Sequence, residues 1–302
     1  MKKILITGGT VFVSKYLAEY FAHAGNEVFV FNRDTHPQVN GVHLIKGDKH
    51  EVCGEFRNHR FDLVLAVNIY TADEMRNLLD GLGEIGDFVF ISSSAVYPET
   101  TPLPFKETDP TGVNTIWGDY GTNKIAAEQQ LLDRLPNAYV LRPPYFYGKY
   151  QNLYREGFVF DCAMKKMPFY IPKDGKMPLQ FYHVHDLCKI IGALIAKKPR
   201  EHILNVGNKE IVDINTFVEI CYDIVGTKLQ KVYVDASHGQ RSYFPFHDYA
   251  YSLNVTKQYE IISDTVPLYD GLKEYFDYYK DHQNEVMKKT SYFEYIEKYL
   301  KQ

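Results

Sequence analysis

The sequence predicts an α/β fold: a doubly wound parallel sheet with a smaller C-terminal α/β lobe. Three observations lead there. Short apolar runs alternate with amphipathic stretches through the first half of the chain. The first run, Lys3-Ile4-Leu5-Ile6-Thr7, ends in Gly8-Gly9-Thr10 and passes directly into a helix-like pattern. After Gly148 the alternation gives way to shorter pieces punctuated by proline. Strands alternating with helices imply a parallel sheet with ligands at the carboxyl ends of its strands.

The elements follow in order. Strands are expected at 3–7, 27–31, 43–46, 63–67, 88–91 and 139–142, each a short run rich in β-branched and aromatic residues. Helices are expected at 11–24, 72–82 and 117–135, where apolar residues recur at helical spacing. Beyond Gly148, helices near 156–166, 184–197 and 214–225 alternate with strand-like pieces. The tail, 266–302, reads as two helices rich in Tyr, Lys and Glu. Its second half, from about Asn284, is expected to be a solvated helix, with a partner-contact element as the alternative. No internal repeat or low-complexity linker interrupts the chain.

Composition narrows the function. At 302 residues the chain is long enough for one large domain or a domain with a lobe. A hydrophobic content of 45% with 24% charged residues is that of a globular protein. The net charge of −4 provides no basic footprint for nucleic acid. Cys53, Cys162, Cys188 and Cys221 lack metal-ligand spacing and read as reduced core thiols. His183 and His185 stand two apart without a third ligand, so no metal is expected. The apolar run after Met1-Lys2-Lys3 is too short for a signal peptide, and no later segment would span a bilayer. The expectation is a cytoplasmic protein, with a homodimer left open.

The most informative stretch is Tyr120-Gly121-Thr122-Asn123-Lys124. It puts a phenol and an ammonium four residues apart, on one face of a helix. A lysine beside a tyrosine hydroxyl favours the phenolate and lowers its pKa from about 10 toward working pH. Such a tyrosine can move a proton at a carbonyl or an alcohol. Upstream, a strand ends in Ser92-Ser93-Ser94-Ala95-Val96-Tyr97; downstream, another ends in Leu141-Arg142-Pro143. Strand-end serine, Tyr-x-x-x-Lys on a helix and a strand ending Arg-Pro together resemble the extended short-chain dehydrogenase/reductase family, which includes nucleotide-sugar epimerases and dehydratases. The resemblance weakens after about Leu204.

The resemblance implies a Rossmann-type NAD(P)-binding domain over 1–150, to which later segments could return. A substrate lobe with a C-terminal extension would occupy 151–302. It implies Tyr120 as general acid/base, Lys124 as the ribose anchor and Ser93 as the hydroxyl on the substrate oxygen, with Ser94 the fallback. The phosphate loop departs from the usual Thr-Gly-x-x-Gly-x-x-Gly. Val11 and Ser14 stand at the second and third glycine positions. The run Gly8-Gly9-Thr10-x-Phe12-Val13 instead resembles the atypical branch of the superfamily. The cofactor is thus expected against Gly8, Gly9, Thr10, Phe12 and Val13, with Asp48 near the adenine. Asn68, Tyr70 and Pro143 are expected toward the nicotinamide.

At the end of the second strand, Asn32 replaces the acid that would bind an adenosine 2′-hydroxyl, and Arg33 could pair with a phosphate. Either NAD or NADP fits, with a lean toward NADP that Asp34 tempers. In the lobe, Leu179 stands where nucleotide-sugar enzymes carry a phosphate-gripping arginine. Tyr145, Arg155 and Arg241 are the substrate candidates, with Lys149 a further cation nearby. The expected function is an NAD(P)-dependent epimerase, dehydratase or reductase acting on a sugar-like molecule, with a nucleotide sugar as the favoured substrate and a small-carbonyl reductase as an alternative. The alternative is a non-catalytic or RNA-associated protein, since the atypical branch includes RNA-binding members.

Overall fold

The computed structural model describes residues 1–301. Its centre is a seven-stranded, all-parallel sheet. The strands are β1 (Lys3–Thr7), β2 (Glu27–Asn32), β3 (Val42–Lys46), β4 (Phe61–Ala66), β5 (Ile85–Ile91), β6 (Tyr139–Arg142) and, after an excursion, β10 (Ile203–Asn205). They lie side by side in the order β10-β6-β5-β4-β1-β2-β3. Most of these strands are apolar on both faces, as a sheet covered on both sides requires. The covering helices are α1 (Phe12–His23), α2 (Ala72–Gly81), α3 (Asp119–Arg134) and α5 (Val184–Lys197).

Between β6 and β10 the chain builds a lobe. It holds β7 (Tyr145–Tyr147), α4 (Glu156–Met164), β8 (Phe169–Pro172) and β9 (Pro178–His183). After β10 the chain returns to it with β11 (Ile211–Asp213), α6 (Ile214–Val225) and β12 (Lys231–Val234), followed by α7 (Thr256–Ile261), α8 (Leu268–Tyr279) and α9 (Ser291–Tyr295). Strands β11, β9 and β7 form one small sheet; β12 and β8 form another. No helix among the described residues is long and apolar enough to cross a membrane.

The tail departs from expectation. Tyr292 and Ile296 are buried rather than solvated. Tyr292 packs edge-on against Phe158 at 5.0 Å. Ahead of it, Met287 N–H donates to Asn152 O at 2.9 Å. Lys288 pairs with the buried Asp161 at 3.0 Å. The lobe's aromatic surface supplies the apolar partners that turn this segment inward.

A buried polar network ties α3 to the sheet. Glu128 on α3 and Arg142 at the end of β6 form a two-bond pair, 2.6 Å between Arg142 Nη2 and Glu128 Oε2 and 3.1 Å between Nε and Oε1. Both side chains are buried, which makes an unpaired partner expensive. Arg142 Nη1 also donates to Tyr97 Oη at 2.9 Å, and Tyr97 donates to Asn205 Oδ1 on β10 at 2.8 Å. Ser92, at the end of β5, donates to the same Glu128 carboxylate. Removing one partner should be costly: Arg142→Met is expected to destabilise the protein by about 3–5 kcal/mol in urea unfolding. A loss below about 1 kcal/mol would show that the pair does not hold α3.

Candidate active site

A cleft of about 810 Å³ opens at the carboxyl ends of the central strands. At one end lies the turn after β1. Gly8 and Gly9 both have φ of +96°, a conformation that side chains resist. A Cβ on Gly8 would lie 2.7 Å from Ser14 Oγ, and one on Gly9 would lie 2.5 Å from Val30 Cγ1. Val11, at the second glycine position, is extended (φ −133°), so its side chain brings no backbone strain. Ser14 is small enough to sit under the turn, where its hydroxyl donates to Val11 O at 2.9 Å. The departures from the usual glycine pattern therefore leave the N-terminus of α1 facing the cleft, where free N–H groups suit an anion.

The adenosine end is shaped by β2 and β3. Asn32 fastens the turn, its amide donating to Gly8 O at 2.7 Å. Asp34 accepts from Gln38 at 3.2 Å and stands 3.8 Å from Lys46. Arg33 and His36 line the cleft; Asp34 does not. Asp48 also lines it and accepts from His50 N–H at 3.0 Å.

Lys124 on α3 is fully buried. Its ammonium donates to Ile69 O at 2.7 Å and to Ile91 O at 2.8 Å. Of its three protons when charged, two are thus committed to carbonyls and one remains for a ligand. Burial, followed by the nearby Lys49 as an opposing cation, outweighs Glu128 and Glu74 and brings its pKa down to about 7. Tyr120 sits in the first turn of α3, after Gly118, whose φ of +52° ends the preceding loop. The tyrosine is 40% exposed, yet its hydroxyl is pushed up to about 12. Both hold because it stands in a deep cleft, open to cleft water but walled by protein. Burial is the largest cause; the Ser93 hydroxyl works the other way.

This corrects the sequence reading. Lys124 does not lower the Tyr120 pKa in this structure, because its ammonium is turned onto the two carbonyls. Ser93 is the hydroxyl that favours the phenolate. Of the three serines, Ser92 is drawn away to Glu128, while Ser93 and Ser94 line the cleft beside Tyr120.

The cleft gathers most of the predicted residues: Gly8, Thr10, Phe12, Val13, Asn32, Arg33, Asp48, Asn68, Ser93, Ser94, Tyr120, Lys124, Pro143, Tyr145 and Arg155. Three candidates lie outside its lining. Gly9 lies beneath the turn against Val30. Lys149 is paired with Glu19 on α1 at 3.0 Å. Arg241 folds back on its own loop, donating to Pro245 O and to Phe244 O. It does not line the cleft as expected. Trp117, Lys49, Asn152 and Tyr251 line the cleft without having been singled out. Trp117 carried a signal, as the sole tryptophan three residues before Tyr120; Tyr251 carried none, since only the lobe brings it near.

The residues fit a dinucleotide. The glycine turn forms a cradle that a Cβ would fill. Asn68 Oδ1 is buried without a partner beside it. Lys124 has a proton to offer.

The family model for the NAD dependent epimerase/dehydratase family matches residues 4–207. The chain belongs to that family. A chloroplast stem-loop binding protein of Arabidopsis thaliana is 25% identical over 285 residues, covering 86% of this chain and 74% of that protein. A UDP-glucose 4-epimerase of Erwinia amylovora is 26% identical over 162 residues, 43% of this chain and 48% of its own length. Among solved structures, a dTDP-glucose 4,6-dehydratase of Bacillus anthracis in complex with NAD superimposes with a TM-score of 0.74 at 19% identity, over 95% of this chain and 99% of that one. A UDP-glucose 4-epimerase of Thermotoga maritima gives 0.74 at 20% identity, over 93% and 99%. These likenesses establish the fold of the family, a parallel seven-stranded sheet with flanking helices.

Lys124 leaves a pH signature. Its pKa in the fold, about 7, lies below the 10.5 of an unperturbed lysine. Across that window the unfolded chain binds more protons than the folded one, so stability rises with pH. The urea midpoint of the cofactor-free parent should therefore gain on that of Lys124→Met as pH rises from about 7 to about 10. Parallel curves for the two proteins would place the Lys124 pKa near its ordinary value.

Proposed function

We propose that the protein is an NAD(P)-dependent enzyme of the epimerase/dehydratase type. It moves hydride to and from a carbon of a sugar-like substrate, with Tyr120 as general acid/base. The observation that carries this reading is the meeting of Tyr120, Ser93 and Lys124 at one end of a cleft whose other end is the glycine turn. When bound, the nicotinamide supplies the hydride acceptor and donor. The chain supplies the rest. Lys124 offers its remaining proton to a ribose hydroxyl. Ser93 donates to the substrate oxygen, where charge changes during reaction. Tyr120 takes the proton from that oxygen when the substrate is oxidised and returns it on reduction.

The charges at the adenosine end favour NADP over NAD. Arg33 faces the cleft, and among the described residues no side-chain hydrogen bond or ion pair engages it. Asp34, which would repel a 2′-phosphate, is turned to Gln38 and Lys46. A second reading, a nucleic-acid-binding role, draws on the stem-loop binding relative. The acidic balance of the chain weighs against it. A gel-shift titration with a stem-loop RNA separates the two, as binding that survives Tyr120→Phe and resists added NADP would favour the second.

Two variants test the enzymatic reading. Tyr120→Phe removes only the hydroxyl, so cofactor binding should persist while turnover falls by about two decades or more. Activity within about threefold of the parent would remove Tyr120 from the chemistry. Arg33→Ala should weaken NADP by about tenfold or more while changing NAD little, by calorimetry. Equal losses for both cofactors would make Arg33 a structural residue.

A further inference from the structure

Beyond Tyr120 the cleft continues into the lobe, and its walls there restrict what the substrate can be. The chamber is bounded by Trp117, Tyr145 and Tyr251 on its aromatic sides and by Asn152, Leu153 and Arg155. Among the described residues, Arg155 is the single lysine or arginine lining this end; Arg33 belongs to the adenosine side, and Lys49 and Lys124 lie between. The two positions that could have added phosphate-binding charge do not. Leu179 is buried on β9, paired in register with Val212. Arg241 turns one nitrogen of its guanidinium onto the main chain of its own loop and does not line the chamber.

Arg155 lines this end of the cleft. Its Nη2 donates to Phe146 O, and its guanidinium carbon lies 5.3 Å from the centre of the Tyr145 ring. Its Nε is buried without a hydrogen-bond partner. The Tyr145 hydroxyl, in a residue only 8% exposed, has the neighbouring Tyr251 hydroxyl as a weak partner and no well-formed hydrogen bond. Unpaired buried donors are costly unless a ligand or water completes them. The adjoining Glu156, 3.9 Å from Arg155 Nε, leaves both carboxyl oxygens unpartnered, and burial pushes its pKa up.

The N-terminus of α1, which could hold a diphosphate, serves the cofactor, so the lobe end offers a nucleoside diphosphate one guanidinium for two phosphates. A single carboxylate or phosphate monoester matches a single arginine. The aromatic walls suit the C–H face of a sugar ring, and Asn152 and Ser94 can meet its hydroxyls. We infer that the substrate is a small sugar-like molecule bearing one anionic group, held by Arg155 and the Tyr145 hydroxyl, and not a nucleotide-diphosphate sugar. This rests on the proposed function and specifies its substrate class.

The test is calorimetry on the full chain saturated with NADP or NAD. The probes are glucuronate and glucose 6-phosphate as single-anion sugars, glucose as the neutral control, and UDP and UDP-glucose as nucleotides. At least one single-anion sugar should bind with a Kd below about 1 mM, while UDP and UDP-glucose produce no heat at the same concentrations. Arg155→Met should weaken the sugar acid or phosphate by about tenfold or more and leave cofactor affinity unchanged. Tyr145→Phe keeps the ring packing and should weaken it by about threefold or more, so the inference stays testable if the arginine variant folds poorly. Tighter binding of UDP or UDP-glucose, no binding of either single-anion sugar, or unchanged affinity in Tyr145→Phe would overturn the inference while cofactor binding stood. Failure of both cofactors to bind would overturn the proposed function itself, and the inference with it.

Discussion

The buried pair between Glu128 and Arg142 is the constraint on which the site depends. Lys124 lies one helical turn before Glu128 on α3, and Tyr120 one turn before that. Fixing Glu128 against the end of β6 therefore fixes the register of both residues over the cleft. The pair is bidentate and almost free of solvent, which gives it direction as well as strength. Its remaining hydrogen bonds run to β5 through Ser92 and to β10 through Tyr97 and Asn205. A buried ion pair is weak evidence for net stability, because hydrophobic replacements often do as well. Its effect here is positional: one helix, carrying two functional groups, is held to three strand ends at once.

The second half of the cleft is made by a different kind of packing. The lobe's core is largely aromatic. Tyr145, Phe181, Phe217 and Phe246 form a chain of close ring contacts, including Phe181 stacked on Phe217 at 5.2 Å. Aromatic pairs favour offset and edge-on contacts, so such a core sets the direction of its rings. This core also captures the C-terminal segment, whose Met287 pairs with the strand-like residues beside Arg155. The tail thus braces the wall of the chamber that bears Arg155 and Asn152, a role distinct from the solvated helix its composition suggests.

The central fold was legible because apolar periodicity reports it directly. The limits of β1, β6, α5 and α6 match the expected ranges, since sharp turn residues or caps bound them: Thr7-Gly8, Arg142-Pro143, the His183 N-cap, and Asp213 with Gly226. The residues of the site that lie at strand ends or on α3 could be placed from motif order alone. What could not be read was side-chain direction. Asn32 lines the cleft where it was expected, but that its amide also fastens the glycine turn could not be read. Arg241 looked like a substrate anchor, yet a local carbonyl lay closer than the cleft. The Tyr120 pKa depended on whether Lys124 faced the phenol or the main chain, and spacing on a helix does not decide that. Trp117, Asn152 and Tyr251 reach the cleft through loops and lobe packing, which have no period to read.

The chain's sole tryptophan offers the most direct test of the whole account. Trp117 lines the cleft with Tyr120 and Lys124, on the wall of the substrate chamber that adjoins the place proposed for the nicotinamide. Titration with NADPH or NADH should quench Trp117 emission and raise reduced-nicotinamide emission in step, with saturation at one cofactor per chain. Trp117→Phe should remove the transfer signal while calorimetry still registers binding. Saturable binding that leaves Trp117 emission untouched would put the nicotinamide elsewhere. No binding of either cofactor at millimolar concentration would contradict the reading of the cleft as a dinucleotide site.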